Sequence, residues 1–287
     1  MDPEKEFKKG QKAMSTGVFK WKSDLPQAAI HFENAAKAYE TMRNYFGAVQ
    51  AYEKLAQANE KMNDMWAAGR VYESLSILQL RNDHVKEAVE NTEKAAELFR
   101  INGNSEKSLR MYIFMGTEAL NKGLIELACR MFALALNLVN DDQLQMFARD
   151  VITPYVGLLI ENRKYADAMI VYEKELKFAQ NLNRDHYMNK AAFCIVALTL
   201  LNNPSLCEGK FREMCSAVQP FIMSMEYQAI TELLDAYEAG NQEDYDKAAR
   251  KAVWNNVEVQ LTRGIRNIKV PVGGQVVVDE EKDLDFT

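Results

Sequence analysis

The sequence predicts an all-α protein, a row of near-equal helices packed as hairpins and closed by a cap of further helices. Three observations predict it. A stripe at spacing four, small then mostly aromatic then usually small, recurs every 20 residues at Ala28-Phe32-Ala36, Ala48-Tyr52-Ala56, Ala68-Tyr72-Ser76, Ala88-Thr92-Ala96, Ser108-Tyr112-Gly116 and Ala128-Phe132-Leu136, and returns at Ala168-Tyr172-Leu176. That spacing keeps the three side chains on one helix face. Asparagines keep a similar beat at Asn44, Asn63, Asn82, Asn102, Asn121, Asn140, Asn162, Asn181 and Asn202, where a residue tolerant of left-handed backbone ends helices and Asn or Asp starts them. The 287 residues include only 13 Gly and 6 Pro, which suits long helices joined by short turns.

Each element follows from these signals. Asp2 as cap and Pro3 in the first turn open a helix over 3–15. An irregular segment at 16–24 follows. The stripe and the caps then place helices at 24–42, 45–62, 64–81, 84–101, 104–121, 124–139, 143–161, 164–181 and 185–201. A 20-residue step leaves room for a helix of about 16 residues, about 24 Å long, and a short turn. Past Pro204 the beat loosens, and helices at 206–217, 221–239, 241–253 and 255–267 form the cap. Val270 to Val278 reads as extended, ahead of an acidic end. The 40-residue hairpin exceeds the 34-residue tetratricopeptide unit, but the stripe is tetratricopeptide-like, so its aromatics are assigned to the core.

Composition narrows the function. At 48% hydrophobic and 26% charged the chain is a folded one. A net charge of −6 argues against a nucleic-acid partner. Cys129, Cys194, Cys207 and Cys215 form no CxxC pair, and His31, His84 and His186 are scattered, so no metal site and no cofactor is expected. No leader-like run follows Met1 and no stretch approaches 18 apolar residues, which points to a cytoplasmic protein, at most peripheral on a membrane. GxxxxGK[ST], GxSxG, HExxH and GxGxxG are all missing, so no catalytic residue is assigned and no enzyme is expected.

Three features exceed what core packing needs. In the segment 16–24, Val18, Phe19 and Trp21 interleave with Lys20 and Lys22. Rings beside ammonium groups suit a membrane interface; alternatively the rings fold back on the first hairpin. Stepping by 40 from Arg70, an outward position, gives Arg110, Asp150 with Arg149 beside it, and Lys190. This row would meet an acidic rod-like partner, or it is an ordinary solvated face, as its neighbours Glu73 and Glu106 suggest. Residues 279–287 carry net −4 and two large apolar residues, Leu284 and Phe286. They form either a docking peptide for a basic groove or a frayed end.

Taken in order, these features resemble the soluble NSF attachment proteins (SNAPs), the adaptors of vesicle fusion, and within them the gamma type. The residues that carry the resemblance are Gly17-Val18-Phe19-Lys20-Trp21-Lys22-Ser23-Asp24, with Ser23 where the gamma-type loop has proline; Arg163-Lys164-Tyr165-Ala166-Asp167-Ala168 with Tyr172-Glu173-Lys174-Glu175; and Tyr237-Glu238-Ala239-Gly240-Asn241-Gln242-Glu243-Asp244-Tyr245. The resemblance implies a twisted sheet of antiparallel helix hairpins over 1–201, a C-terminal helical bundle over 202–268, and an extended segment with an acidic tail over 269–287. It implies an adaptor that binds SNARE four-helix bundles and recruits the hexameric AAA ATPase NSF for their disassembly, itself hydrolysing nothing. On that reading Val18, Phe19, Lys20, Trp21 and Lys22 contact membrane, on its cytosolic face. Arg70, Arg110, Arg149 and Lys190 face SNAREs, and Glu280, Glu281, Asp283, Leu284, Asp285 and Phe286 bind NSF. The protein is expected to be a monomer in solution. The alternative is a general tetratricopeptide-like scaffold that takes a peptide on its concave face.

Overall fold

The structure, a computed structural model, describes residues 2–16, 23–140 and 144–271. Every regular element among them is helical, and the chain divides into two compact units, 1–144 and 145–287.

The first unit runs α1 (Pro3–Met14), α2 (Leu25–Thr41), α3 (Tyr45–Lys61), α4 (Met65–Arg81), α5 (Val85–Ile101), α6 (Ser105–Asn121) and α7 (Ile125–Val139). Helices α2 to α6 are each 17 residues long and are joined by three-residue links. Each link turns on one left-handed residue: Arg43, Asn63, Asp83, Gly103 and Gly123, with φ of 55°, 58°, 62°, 79° and 73°. The next N–H reaches back to the helix it has just left. Asn44, Asp64, His84, Asn104 and Leu124 donate to the carbonyls of Tyr39, Asn59, Gln79, Phe99 and Ala119 at 2.8–3.0 Å. This is the Schellman closure, and the residue that completes it is also the N-cap of the next helix. The side chains of Asn44, Asp64 and Asn104 accept from the N–H of Gly47, Ala67 and Lys107. The asparagine beat thus marks the links without marking one role. Asn63 is left-handed, Asn44 is an N-cap, Asn82 and Asn102 are C-caps, and Asn121 is the last helical residue.

The 20-residue stripe is the core. All of its side chains in the first unit are buried except Tyr112, which is half-buried. Small residues admit the neighbouring helix and rings fill the gap. At Gly10 of α1, an added Cβ would lie 2.7 Å from the Phe32 ring of α2, so the two backbones meet over a bare Cα. In the middle of the row the stripe turns polar, and Ser76 and Thr92 satisfy one another at 2.6 Å while fully buried.

The second unit opens with a 3-10 turn at Gln145–Phe147 and continues through α8 (Ala148–Glu161), α9 (Tyr165–Asn181) and α10 (Asp185–Asn202). The same left-handed links recur at Arg163 and Asn183, with φ of 57° and 50°. Ala148, Ile152 and Val156 are buried and supply the stripe at the step where small–aromatic–small is missing. Beyond lie α11 (Cys207–Ala217), α12 (Met225–Glu238), α13 (Gln242–Ala248) and α14 (Val259–Arg266). The helix expected at 143–161 starts at Ala148. Those expected at 221–239 and 241–253 are shortened by 3-10 turns at Gln219–Met223 and Ala252–Asn256. Helix α10 packs on α9, α11, α12 and α14, and every residue from Lys190 to Leu200 is buried. The expected boundary at 201–202 therefore falls inside one compact unit.

A polar cluster lies within this core. The Glu258 carboxylate, at the N-cap of α14, accepts from the Tyr172 hydroxyl of α9 and, at 3.0 Å, from the Lys190 ammonium of α10. Glu175 of α9 is buried too, and its Oε2 has no hydrogen-bond partner. Burial pushes its carboxyl up to about 7, against the pull of Lys190 and with the repulsion of Glu258. Protonated, Glu175 leaves Lys190 and Glu258 as a neutral pair; ionised, it leaves an excess buried charge.

Two predictions follow from this architecture. A non-glycine residue in left-handed backbone is strained by about 1 kcal/mol, so Arg43→Gly and Arg163→Gly each raise the unfolding free energy by about 0.5–1 kcal/mol. Gly103→Ala, whose added Cβ meets nothing within 4 Å, lowers it by about 1 kcal/mol; urea midpoints of the three variants check the pattern. Glu175, with its folded pKa of about 7 raised above the ordinary value of 4.5, favours the folded state below the ordinary value and loses that contribution as pH rises through 7. About 3 kcal/mol is at stake. Glu175→Gln flattens the fall in stability between pH 5 and 8, measured by urea unfolding across that range.

Candidate functional site

Val18, Phe19, Lys20, Trp21 and Lys22, expected to contact membrane, lie outside the described residues, as do Glu280, Glu281, Asp283, Leu284, Asp285 and Phe286, expected to bind NSF. The structure does define the root of the first segment. Asp24 N–H donates to the Ala13 carbonyl at 2.9 Å, so the chain leaves α1 and re-enters α2 through one closed neck. Asp24 also caps α2 through the Gln27 N–H. Helix α1 is held firmly beneath it. Phe7 meets Phe32 edge-on at 5.5 Å, and Glu6 binds His31 at 2.7 Å and Lys9 at 2.6 Å. Hydrogen bonds from Lys9 and His31 hold the Glu6 carboxyl below its usual range.

The basic ladder divides between the units. In the first, Arg70 on α4 and Arg110 on α6 are both exposed. Helices two apart share a layer, which the Glu73–Lys107 pair between α4 and α6 demonstrates at 2.5 Å. Arg70 stands one turn before Glu73, and Arg110 one turn after Lys107, so both arginines flank this pair on one face. Arg110 is itself engaged by Glu106 at 2.8 Å. The face is a mixed one with an arginine at each end. In the second unit Arg149, at the start of α8, lies over the Tyr187 ring at 5.2 Å. Lys190 departs from the outward position given by the 40-residue register. It is buried and bound to Glu258, because α10 is covered on all sides and has no outward face.

Each layer is laced by ion pairs that the 40-residue register does not mark. Glu60–Lys94 at 2.8 Å, Glu73–Lys107 at 2.5 Å, Asp83–Lys122 at 2.5 Å and the Glu93–Arg130 pair all join an acid on one helix or link to a base two helices on. Their separations of 34–39 residues fall short of the 40-residue double step, since long side chains reach diagonally. A search for acid-then-base at that interval would have found them. On the opposite layer from Arg70 and Arg110, α5 and α7 leave an open trough of about 770 Å³, with Val85, Val89, Leu124, Ile125 and Leu127 on its walls. A second, more polar hollow shares Glu93 and Arg130 with it and includes Tyr112 of α6.

None of the four cysteines is joined in a disulfide, and no group of three metal-binding side chains occurs among the described residues. No described helix is long and apolar enough to cross a membrane. The chain matches the family model "Soluble NSF attachment protein, SNAP" over residues 1–251. It is similar to the gamma-soluble NSF attachment protein of Dictyostelium discoideum, 21% identical over 94% of this chain and 83% of that one. It is also similar to the gamma-soluble NSF attachment protein of Arabidopsis thaliana, 23% identical over 99% and 97%. With the match running through both units of an all-helical hairpin fold, the chain belongs to the soluble NSF attachment protein family.

Proposed function

We propose that this protein is an adaptor that binds SNARE four-helix bundles and recruits the NSF hexamer to them. The observation that carries the reading is the family match through both compact units, 1–251, which places the chain in SNARE- and NSF-related trafficking. The family is one of adaptors, and the role assigned here is mechanical coupling with no chemical step of its own. The face bearing Arg70 and Arg110 meets the acidic bundle, with Arg149 serving the second unit. Lys190 serves the core and makes no contact. The tail residues Glu280, Glu281, Asp283, Leu284, Asp285 and Phe286 engage NSF, and Val18 to Lys22 hold the cytosolic face of a membrane as a monomeric, peripheral protein. The closed neck at Ala13 and Asp24 supports this last role, because a segment that enters lipid needs a fixed base.

Capture on immobilised chain tests the adaptor reading. Both NSF and SNARE bundles are retained, and failure to retain either overturns it. Arg70→Glu with Arg110→Glu weakens bundle capture about tenfold at low salt and flattens its salt dependence. Leu124→Glu, in the trough of the other layer, leaves capture unchanged. The reverse pattern would move the SNARE surface to the trough. Deleting 279–287 weakens NSF retention and spares the bundle.

Liposome cosedimentation tests the membrane role. Burying two rings contributes a few kcal/mol at about 25 cal/mol per Å², so Phe19→Ser with Trp21→Ser lowers the bound fraction at least tenfold. Unchanged binding would assign both rings to the protein interior.

A further inference from the structure

The layer formed by α3, α5 and α7 has two grooves at the same point of the repeat, and they differ in one pair of side chains. Between α3 and α5 the Tyr45 ring lies flat on the His84 ring, with centroids 5.0 Å apart and planes 5° apart. One double step later, the same two positions are Val85 and Leu124. Both line the open trough of about 770 Å³ between α5 and α7. Where the first groove holds two stacked rings, the second holds two short branched side chains with the trough between them. Leu124 is 38% exposed there, and Val85, Ile125 and Leu127 are half-buried.

The helix caps carry the same difference. Asp24, Asn44, Asp64 and Asn104 cap α2, α3, α4 and α6 through a side-chain oxygen. His84 and Leu124 hold the N-cap positions of α5 and α7 and make no such bond. His84 gives its position to a ring contact. Leucine is among the poorest N-caps, and what Leu124 supplies instead is an apolar wall of the trough. The rim adds charge. Glu93 is bound to Arg130, which leaves Glu90 and Glu126 against Lys86 on the lining. Apolar walls with a few polar groups at the edge suit a single anchoring side chain, and this edge favours a cation beside it.

We propose that the trough between α5 and α7 docks an aromatic side chain of a partner protein, a tyrosine or phenylalanine flanked by basic residues, in the place that the Tyr45 ring takes in the neighbouring groove. The chain thus holds a filled and an open version of one site. The proposal is independent of the SNARE and NSF reading, whose Arg70 and Arg110 lie on the opposite layer.

Methyl NMR of the full chain with p-cresol, the tyrosine side chain as a free molecule, tests the ring site. A ring of this size binds with a dissociation constant of about 1 mM. It moves the Val85, Val89, Leu124 and Ile125 methyl resonances upfield and leaves those of Ile195 and Leu198, buried in the second unit, in place. Val85→Tyr with Leu124→His transplants the native stack into the trough and lowers affinity at least tenfold. Tyr45→Val with His84→Leu empties the first groove and creates a second site, reported by the Val49 methyls. Leu124→Asn separates binding from folding. It gives α7 a capping oxygen and raises the urea midpoint, yet weakens p-cresol binding at least threefold. The acetylated and amidated tripeptide Lys-Tyr-Lys binds at least threefold tighter than Glu-Tyr-Glu at low salt, a margin that closes at high salt. No shift at the four trough methyls, unchanged affinity after Val85→Tyr with Leu124→His, or tighter binding of Glu-Tyr-Glu each overturns the proposal. Two other occupants would overturn it as well. A second copy shows as concentration-dependent sedimentation that the transplanted stack abolishes. The chain's own Phe19 or Trp21 shows as shifts of the same methyls on Phe19→Ser with Trp21→Ser, with no p-cresol added.

Discussion

An α-helix can reverse in three residues only if one of them enters left-handed backbone, and the first unit is built on that constraint. The left-handed residue lets two N–H groups return to the helix just ended, which satisfies carbonyls that would otherwise be orphaned. The following residue is free at once to cap the next helix. With the link fixed at three residues and the helix at 17, each helix presents the same positions to its neighbour. One inserted residue would rotate the small–aromatic–small stripe about 100° from the core. The register is thus enforced by the turn, and the packing of Phe32 on Gly10 or of Ser76 on Thr92 is its consequence.

Sequential helices share an apolar seam, while helices two apart meet at charged edges. Glu60–Lys94 and Glu93–Arg130 join α3 to α5 and α5 to α7, using adjacent residues of α5 for opposite neighbours. Exposed pairs of this kind stabilise weakly, about 0–1 kcal/mol each. Their effect on surface chemistry is larger. They neutralise the charges they join, so what a partner meets is set by the residues outside the lacing, Arg70 among them. A ladder drawn from basic residues alone misjudges this, because the acids between the rungs are partners of Lys107 and Arg110.

The stripe was legible in the sequence because its period and its chemistry coincide. Ala, Tyr and Phe at spacing four have one comfortable place, and the structure buries them there. The left-handed positions were less legible. Asn63, Asp83 and the glycines signal that conformation, but Arg43 and Arg163 have no intrinsic preference for it and adopt it because the repeat requires it. Lys190 misled for a different reason. A 40-residue step assumes that every helix keeps an outer face. The run Ala191-Ala192-Phe193-Cys194-Ile195-Val196-Ala197-Leu198 has no polar side on the helix wheel, which is the mark of a helix buried all round. The partner that makes Lys190 tolerable there, Glu258, lies too far along the chain for any local pattern to point to it.

Where the beat ends, the means of specifying structure changes. A repeat fixes each helix by its neighbours, but the helices after α10 are short, unequal and, except at the left-handed link through Gly240, separated by 3-10 turns, and no period tells them where to sit. They are located by side chains that bind backbone. Trp254 Nε1 donates to the Ala248 carbonyl, Thr262 to the Trp254 carbonyl, and Tyr245 to the Ile265 carbonyl. Each is a buried donor bound to backbone, so a packing that removes its acceptor leaves it unpaired at about 1–3 kcal/mol. Such contacts discriminate between arrangements that apolar burial alone would leave nearly equal in energy. The Gln242 amide of α13 also binds backbone, accepting the Val270 N–H and donating to the Ile268 carbonyl: it gives an extended segment the partners that a sheet would have supplied, in a fold whose described residues contain no strand. The region with the least periodic sequence is therefore the one in which single polar residues carry most of the positional information.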